Sequence, residues 1–274
     1  METKVASAPG KISLAGEHAV VYGYPAIVAA IDRRLTVTAC RGKTGKPASG
    51  LVKFALSQIL KPGEIVDLKI DSEIPINSGL GSSAALATAL VWALRSKAPL
   101  EEKNRLVKII EDYQHGKSSG VDQTIVREGG CLRFQKREFE PVSLGLKQAV
   151  LIDSGKPKES TGDMVKKVAR SNFSKQFKQI GKLVGQWRPE LIKENEQLLE
   201  SIGVVGKKAQ TMVRLIEKSG GVAKICGAGG VRDGSGMLLA YHRDHQKLLR
   251  LIKRSSWHYL KVNLGEPGVR DEAD

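Results

Sequence analysis

The stretch Pro75-Ile-Asn-Ser-Gly79-Leu80-Gly81-Ser82-Ser83-Ala-Ala85 decides how this chain is read. Gly79 and Gly81 let the backbone come close to a ligand, and Ser82 and Ser83 place hydroxyls where an apolar helix begins. The run from Ala84 to Leu94 is apolar nearly all round, which predicts a buried helix with a fixed N-terminus. Free N–H groups and the helix dipole at such a terminus suit a phosphate. The same residues also fit a plain loop with a serine N-cap. A third reading, Gly79-x-Gly81-x-x-Ala84 as a dinucleotide fingerprint, needs a strand running straight into the glycines. Here the expected strand Ile65 to Asp71 is separated from Gly79 by Ser72 to Ser78, and the next element, Glu101 to His115, reads as a helix. The dinucleotide reading is set aside.

Composition bounds the rest. A chain of 274 residues can form one large domain or two moderate ones. Hydrophobic content of 41% with 27% charged residues matches a globular protein and argues against disorder. Ala84 to Leu94 is the longest apolar run and falls short of the ~20 residues of a membrane span. The start, Met1 to Ala6, lacks the basic and apolar layout of a signal peptide, so a cytoplasmic setting is expected. Cys40, Cys131 and Cys226 are far apart and odd in number, which predicts buried small side chains, neither a disulfide framework nor a zinc site. The net charge of +15 admits nucleic acid, anionic surfaces or small polyanions as partners. Lys166-Lys167, Lys207-Lys208 and Lys253-Arg254 are spread through helical patterns, however, and 5% aromatic content is thin for a base-stacking platform. A solvated basic face is the simpler account, with no nucleic-acid or membrane partner expected.

Along the chain, strands are expected at Lys4 to Ser7 and Lys11 to His18, interrupted at Ala8-Pro9-Gly10, then at Pro25 to Ile31 and Leu35 to Cys40 with Asp32-Arg33-Arg34 as a polar turn. A loop at Arg41 to Ser49, a short helix at Gly50 to Leu60 and the strand Ile65 to Asp71 follow. In Glu101 to His115 apolar residues recur at helical spacing, so Glu111 and His115 share a face. Gly116-Lys117-Ser118 looks like the end of a P-loop, but Glu111 stands where its first glycine is required. Asp122 heads a short segment before Gly129-Gly130 and the strand Cys131 to Gln135. A boundary near residue 145 divides the chain into 1–145 and 146–274. Beyond it come a strand at Gln148 to Asp153, a helix capped by Ser160 or Thr161 with Asp163 in its first turn, and a mainly helical run to Ser219. Val222 to Cys226 feeds a second glycine-rich loop, Gly227 to Gly236. Met237 to His242, Asp244 to Arg254 and Trp257 to Leu264 read as strand, helix and strand. The tail from Glu266 to Asp274 is expected to fray.

Three separated motifs recur together: Pro9-Gly10-Lys11 with Gly16-Glu17-His18, then Gly79-Leu-Gly-Ser-Ser-Ala-Ala85, then Gly227-Ala-Gly-Gly230. In this order they resemble the signature motifs of the GHMP kinase superfamily over nearly the whole chain. Ala8 to Gly23 and His115-Gly-Lys-Ser-Ser-Gly-Val-Asp122 are most similar to its mevalonate kinase branch. Phosphomevalonate kinases usually carry Tyr where His18 stands, and galactokinases an Asn or Asp where Ala19 and Val20 are apolar. Both stay as alternatives, with a basic nucleic-acid-binding protein more distant.

The resemblance implies an α+β fold of two parts, a ribosomal-protein-like N-terminal domain and a ferredoxin-like C-terminal domain. It implies transfer of the ATP γ-phosphoryl group to the C5 hydroxyl of mevalonate, with ATP and Mg²⁺ as cofactors, in the mevalonate pathway to isoprenoid precursors. Gly79, Leu80, Gly81, Ser82 and Ser83 would cradle the phosphates, with Gly227 and Gly229 bordering the nucleotide, and Ser83 and Glu111 would hold Mg²⁺. Asp122 would take the hydroxyl proton. Lys11 would pair with it, an opposite charge favouring the carboxylate and a more acidic alcohol. Glu17 and His18 would bind mevalonate, with Thr161 nearby. The usual glycine run is interrupted here by Val231-Arg232-Asp233. A homodimer stays open, since no stretch encodes an oligomeric state.

Overall fold

The computed structural model describes residues 3–42, 50–116 and 118–272; Lys117 and most of the loop expected at Arg41 to Ser49 lie outside them. In chain order the strands are β1 (Thr3–Ala15), β2 (Ala26–Arg41), β3 (Val66–Ser72), β4 (Cys131–Gln135), β5 (Glu138–Pro141), β6 (Gln148–Asp153), β7 (Val222–Ile225), β8 (Met237–Tyr241), β9 (Tyr259–Asn263) and β10 (Arg270–Glu272). The helices are α1 (Gly50–Ile59), α2 (Ser82–Leu94), α3 (Leu100–His115), α4 (Val121–Glu128), α5 (Thr161–Ala169), α6 (Ser174–Gly185), α7 (Ile192–Ser201), α8 (Lys207–Lys218) and α9 (His245–Arg254). The fold is α+β, with two separate antiparallel sheets.

The first sheet runs β10-β1-β2-β4-β5. One edge of β2 pairs with β1, and the other is shared, Ala26 to Ala29 with β4 and Leu35 to Arg41 with β3. The helix α2 is buried nearly all round, as its composition predicts, and packs on β1 and β2 with α3 beside it. Burying each such Leu or Val contributes ~1.5–3 kcal/mol, so this helix anchors the first half. The second sheet has the order β7-β8-β6-β9 and the chain pattern β-α-β-β-α-β, and its core draws on α5 to α9. Among the described residues no helix is long and apolar enough to cross a membrane.

Two breaks expected in the first sheet are irregularities inside long strands. β1 continues through Pro9-Gly10 and β2 through Asp32-Arg33-Arg34, where the register shifts from Pro9↔Arg34 to Gly10↔Ile31. The polar trio is accepted within a strand because distant chain satisfies it. Arg34 donates to Ser7 Oγ at 2.8 Å and to the carbonyls of Pro267 and Gly268, Arg33 to that of Lys261, and Asn263 donates to Asp32. For the same reason the tail is ordered as far as Glu272, residues 273 and 274 lying outside the described ones: Val269 N–H bonds the Val126 carbonyl, and β10 pairs with β1. Of the cysteines, all three free, only Cys226 is fully buried; Cys40 and Cys131 are half-buried.

Candidate active site

A cleft of about 340 Å³ opens between the two sheets and collects all three sequence motifs. Its wall on one side is the loop into α2. Gly79 and Gly81 both hold left-handed φ, 83° and 74°. A Cβ on Gly81 would lie 2.8 Å from Lys11 Cγ, and one on Gly227 2.8 Å from Gly79 Cα. The glycines are therefore required where the loop into α2 meets Lys11 and the late glycine loop. The expected serine cap is absent: Gly81 is the N-cap of α2, and no side chain caps the helix. Ser82 and Ser83 instead occupy the first turn. The first-turn N–H groups so left without a side-chain acceptor suit an anion better than a serine-capped end would.

Lys11 comes from β1, held by its own N–H to the Leu80 carbonyl at 2.9 Å. It is 5% exposed, and its Nζ lies 3.2 Å from Asp122 Oδ1. Asp122 stands in the first turn of α4 behind Gly120, and its side chain keeps 31% of its surface exposed to the cleft. Its N-cap is Gly120, so Asp122 is not itself a cap.

Glu111 and His115 share a face of α3 as the spacing predicts. His115 Nε2 lies 3.0 Å from Ser83 Oγ and 3.8 Å from Glu111 Oε2. Burial first, then the Asp122 charge, pushes the Glu111 carboxyl up to about 8, and burial lowers His115 below the ordinary imidazole range. Two carboxylates thus share this corner with one lysine, and Glu111 Oε1 is buried without a hydrogen-bond partner. That orphaned oxygen beside the Ser83 hydroxyl fits a hard divalent cation. Among the described residues no group of three or more His, Cys, Asp or Glu side chains forms a metal cluster, so such an ion would depend on ligand oxygens and water as well.

On the opposite side, His18 has a left-handed backbone, φ 58°, and its Nε2–H donates to the Ala228 carbonyl at 3.0 Å. Burial lowers its pKa, leaving Nδ1 as the ring's acceptor. Glu17 lines the cleft but has both carboxylate oxygens engaged: Lys224 Nζ bonds Oε1, and Asn195 Nδ2 donates to Oε2 at 3.1 Å. Thr161 lies exposed at the mouth, where Ser160 and Asp163 form the expected capping box of α5. A Cβ on Gly229 would meet the Val204 carbonyl oxygen at 2.1 Å, so this loop position is closed to side chains. The interrupting residues turn outward: Arg232 donates to Glu159 Oε1 at 2.8 Å and Lys158 pairs with Asp233.

Sequence reasoning missed Lys224, Asn195 and Glu196, which join Glu17 beneath the cleft, and assigned no part to His115. The one available signal was a lysine within the apolar strand Val222 to Cys226.

Comparison with known proteins identifies the family and the fold. Residues 49–130 match the family model of the GHMP kinases N terminal domain, and residues 1–41 the galactokinase galactose-binding signature. The mevalonate kinase of Archaeoglobus fulgidus is 34% identical over 258 residues, covering 82% of this chain and 89% of that protein. The mevalonate kinase of Thermococcus sibiricus is 32% identical, covering 98% of both. The crystal structure of Methanococcus jannaschii mevalonate kinase shares the fold, with a TM-score of 0.81 at 23% identity over 96% of this chain and 98% of that one. A mevalonate kinase of L. major in complex with R-mevalonate aligns with a TM-score of 0.75 at 21% identity, over 97% and 96%.

Proposed function

This chain belongs to the mevalonate kinase family of the GHMP kinases and is an ATP-dependent small-molecule kinase, and from that premise we propose that it phosphorylates the C5 hydroxyl of mevalonate at the Lys11–Asp122 pair. The observation that carries the assignment is Asp122 itself. It is the acid left accessible at the cleft, 3.2 Å from a buried lysine and across from the glycine loop. Asp122 accepts the hydroxyl proton as the alcohol attacks, and Lys11 orients Asp122 and offsets the negative charge that gathers there. Gly79 to Ser83 receive the ATP phosphates on backbone N–H groups, with Gly227 and Gly229 closing the nucleotide side. Ser83 and Glu111 would hold Mg²⁺, which supplies neutralisation of phosphate charge when bound. His18, next to Ala228, receives mevalonate, with Thr161 at the entrance.

The division at residue 145 belongs to the same proposal, with β10 returning to the N-terminal sheet. The β-α-β-β-α-β order of the second sheet supports the ferredoxin-like reading of residues 146–274. A cytoplasmic site of action, where ATP is plentiful, belongs to the same proposal.

One observation favours a second reading, the galactose-binding signature over residues 1–41. ADP release from purified protein with Mg-ATP and mevalonate, phosphomevalonate, galactose or homoserine separates the two. Turnover of mevalonate alone is expected. Turnover of galactose in its place would overturn the assignment.

A further inference from the structure

We propose that Lys224 is a positioning residue for the acceptor side of the cleft: from beneath, it holds Glu17, and through Glu17 the His18 turn, against the loop Gly227–Gly230. The inference rests on the kinase reading above and adds a residue that the signature motifs do not contain.

Lys224 lies on β7 with no exposed surface. Its ammonium has three donors, and all three are used: on the Ser13 carbonyl at 2.9 Å, on the Ile225 carbonyl at 2.7 Å, and on the Glu17 carboxylate. Ser13 and Glu17 belong to the end of β1 and the turn after it, in the first sheet's half. Ile225 leads directly into the late glycine loop, in the second. One side chain therefore ties together the two walls of the cleft. From α7, Asn195 occupies the remaining Glu17 oxygen, and Glu196 Oε2 accepts the Ile225 N–H at 3.0 Å. Burial raises the Glu196 carboxyl to about 8, so at neutral pH it faces Lys224 as a neutral acid. Lysine and Glu17 are left as a single matched pair.

Stability alone does not explain such a pair, because apolar residues of similar volume often replace buried ion pairs without loss. Direction does. With one bond on each oxygen, Glu17 is anchored in a fixed orientation, and through that orientation it sets the place of its neighbour. His18 sits in a left-handed conformation that a non-glycine residue keeps only when its surroundings impose it. Glu17 fixes it on one side and the Ala228 carbonyl on the other. Without Lys224, the buried Glu17 carboxylate swings toward water in the cleft and carries His18 with it.

The test compares the wild-type protein with Lys224→Met and with the double variant Glu17→Gln/Lys224→Met, reading thermal midpoint, kcat, and KM for ATP and for mevalonate. The single variant leaves an unpaired buried charge and melts earlier. The double variant recovers most of the midpoint, yet its KM for mevalonate stays raised about ten- to hundred-fold, the range expected when a reacting group is misplaced by ~1 Å. Its KM for ATP rises several-fold less than its KM for mevalonate, because the bonds of Lys224 leave the Gly79–Ser83 loop untouched and reach the late glycine loop only through the Ile225 carbonyl. A double variant with wild-type KM for mevalonate overturns the inference, and so does an equal rise in both KM values. If the wild-type protein turns over another acceptor of the panel, the family-level substrate assignment falls, and the same variants are then read on that acceptor.

Discussion

Lys11 meets Asp122 at the surface of the cleft, where the aspartate keeps nearly a third of its side chain exposed, whereas Lys224 meets Glu17 beneath it with no exposed surface on the lysine. Both lysines start from strands that face the same cleft, and both pair with a single carboxylate. The difference lies in what is left over. Asp122 keeps an accessible carboxylate, while both Glu17 oxygens are anchored from beneath and Lys224 has no free donor. A charge meant to react must stay accessible, and a charge meant to hold geometry must be anchored on its partners.

The largest effect expected is on the open pair. Asp122→Asn keeps the shape of the side chain and removes the proton acceptor, so kcat should fall ~10²- to 10⁴-fold. Its thermal midpoint should fall less than that of the sealed pair, because Asp122 is partly exposed and the cleft stays open to water beside Lys11. A full kcat would remove Asp122 from the chemistry and break the comparison.

For the sealed pair the loss appears in folding. Lys224→Met strands a buried carboxylate, and urea unfolding should show a loss of ~3–5 kcal/mol. An unchanged urea midpoint would mean that the pair is not sealed at all.

Glu196 sharpens the contrast through pH. Burial raises its folded-state value to about 8 from the ordinary 4.5, with the Ile225 N–H and Lys224 opposing the shift and Glu200 and Glu17 adding to it. The folded state therefore binds this proton more tightly than the unfolded chain. The stability it contributes is complete below about pH 4.5 and is lost as pH rises through about 8. Relative to wild type, Glu196→Gln should flatten the fall of the thermal midpoint between about pH 5 and 8, and identical pH curves would place Glu196 outside the buried network.

The smallest effect belongs to the cleft mouth. Ser160→Ala removes the cap of α5 beside Thr161 and should cost ~1 kcal/mol in chemical unfolding. A loss several times larger would show that the mouth is as tightly built as the floor.

Much of this was legible before any coordinates. The apolar run from Ala84 to Leu94 is a buried helix because nothing on its surface could face water. Glu111 and His115 share a face because four residues make one helical turn. The cap of α5 was legible as Ser160 or Thr161 with Asp163 in its first turn, and the structure uses Ser160 in a capping box with Asp163. The errors fell where distant chain overrides a local signal. Asp32-Arg33-Arg34 has the composition of a turn, yet residues 261 to 268 accept or supply its hydrogen bonds and the strand runs on. Glu266 to Asp274 has the composition of a loose end, yet β10 finds an open edge on β1. Ser82 is a good cap by type, but Gly81 takes that position because the backbone must turn left-handed beside Lys11.

By itself, then, the sequence determined the buried helix after Gly81 and the shared face of Glu111 and His115, since each rests on residue type and short spacing along one segment, and its three separated motifs carried the family. Only the tertiary structure decided which charges are open and which are sealed. Lys11 and Lys224 look alike as letters, and their difference arises because residues more than a hundred positions away surround one and leave the partner of the other exposed to the cleft.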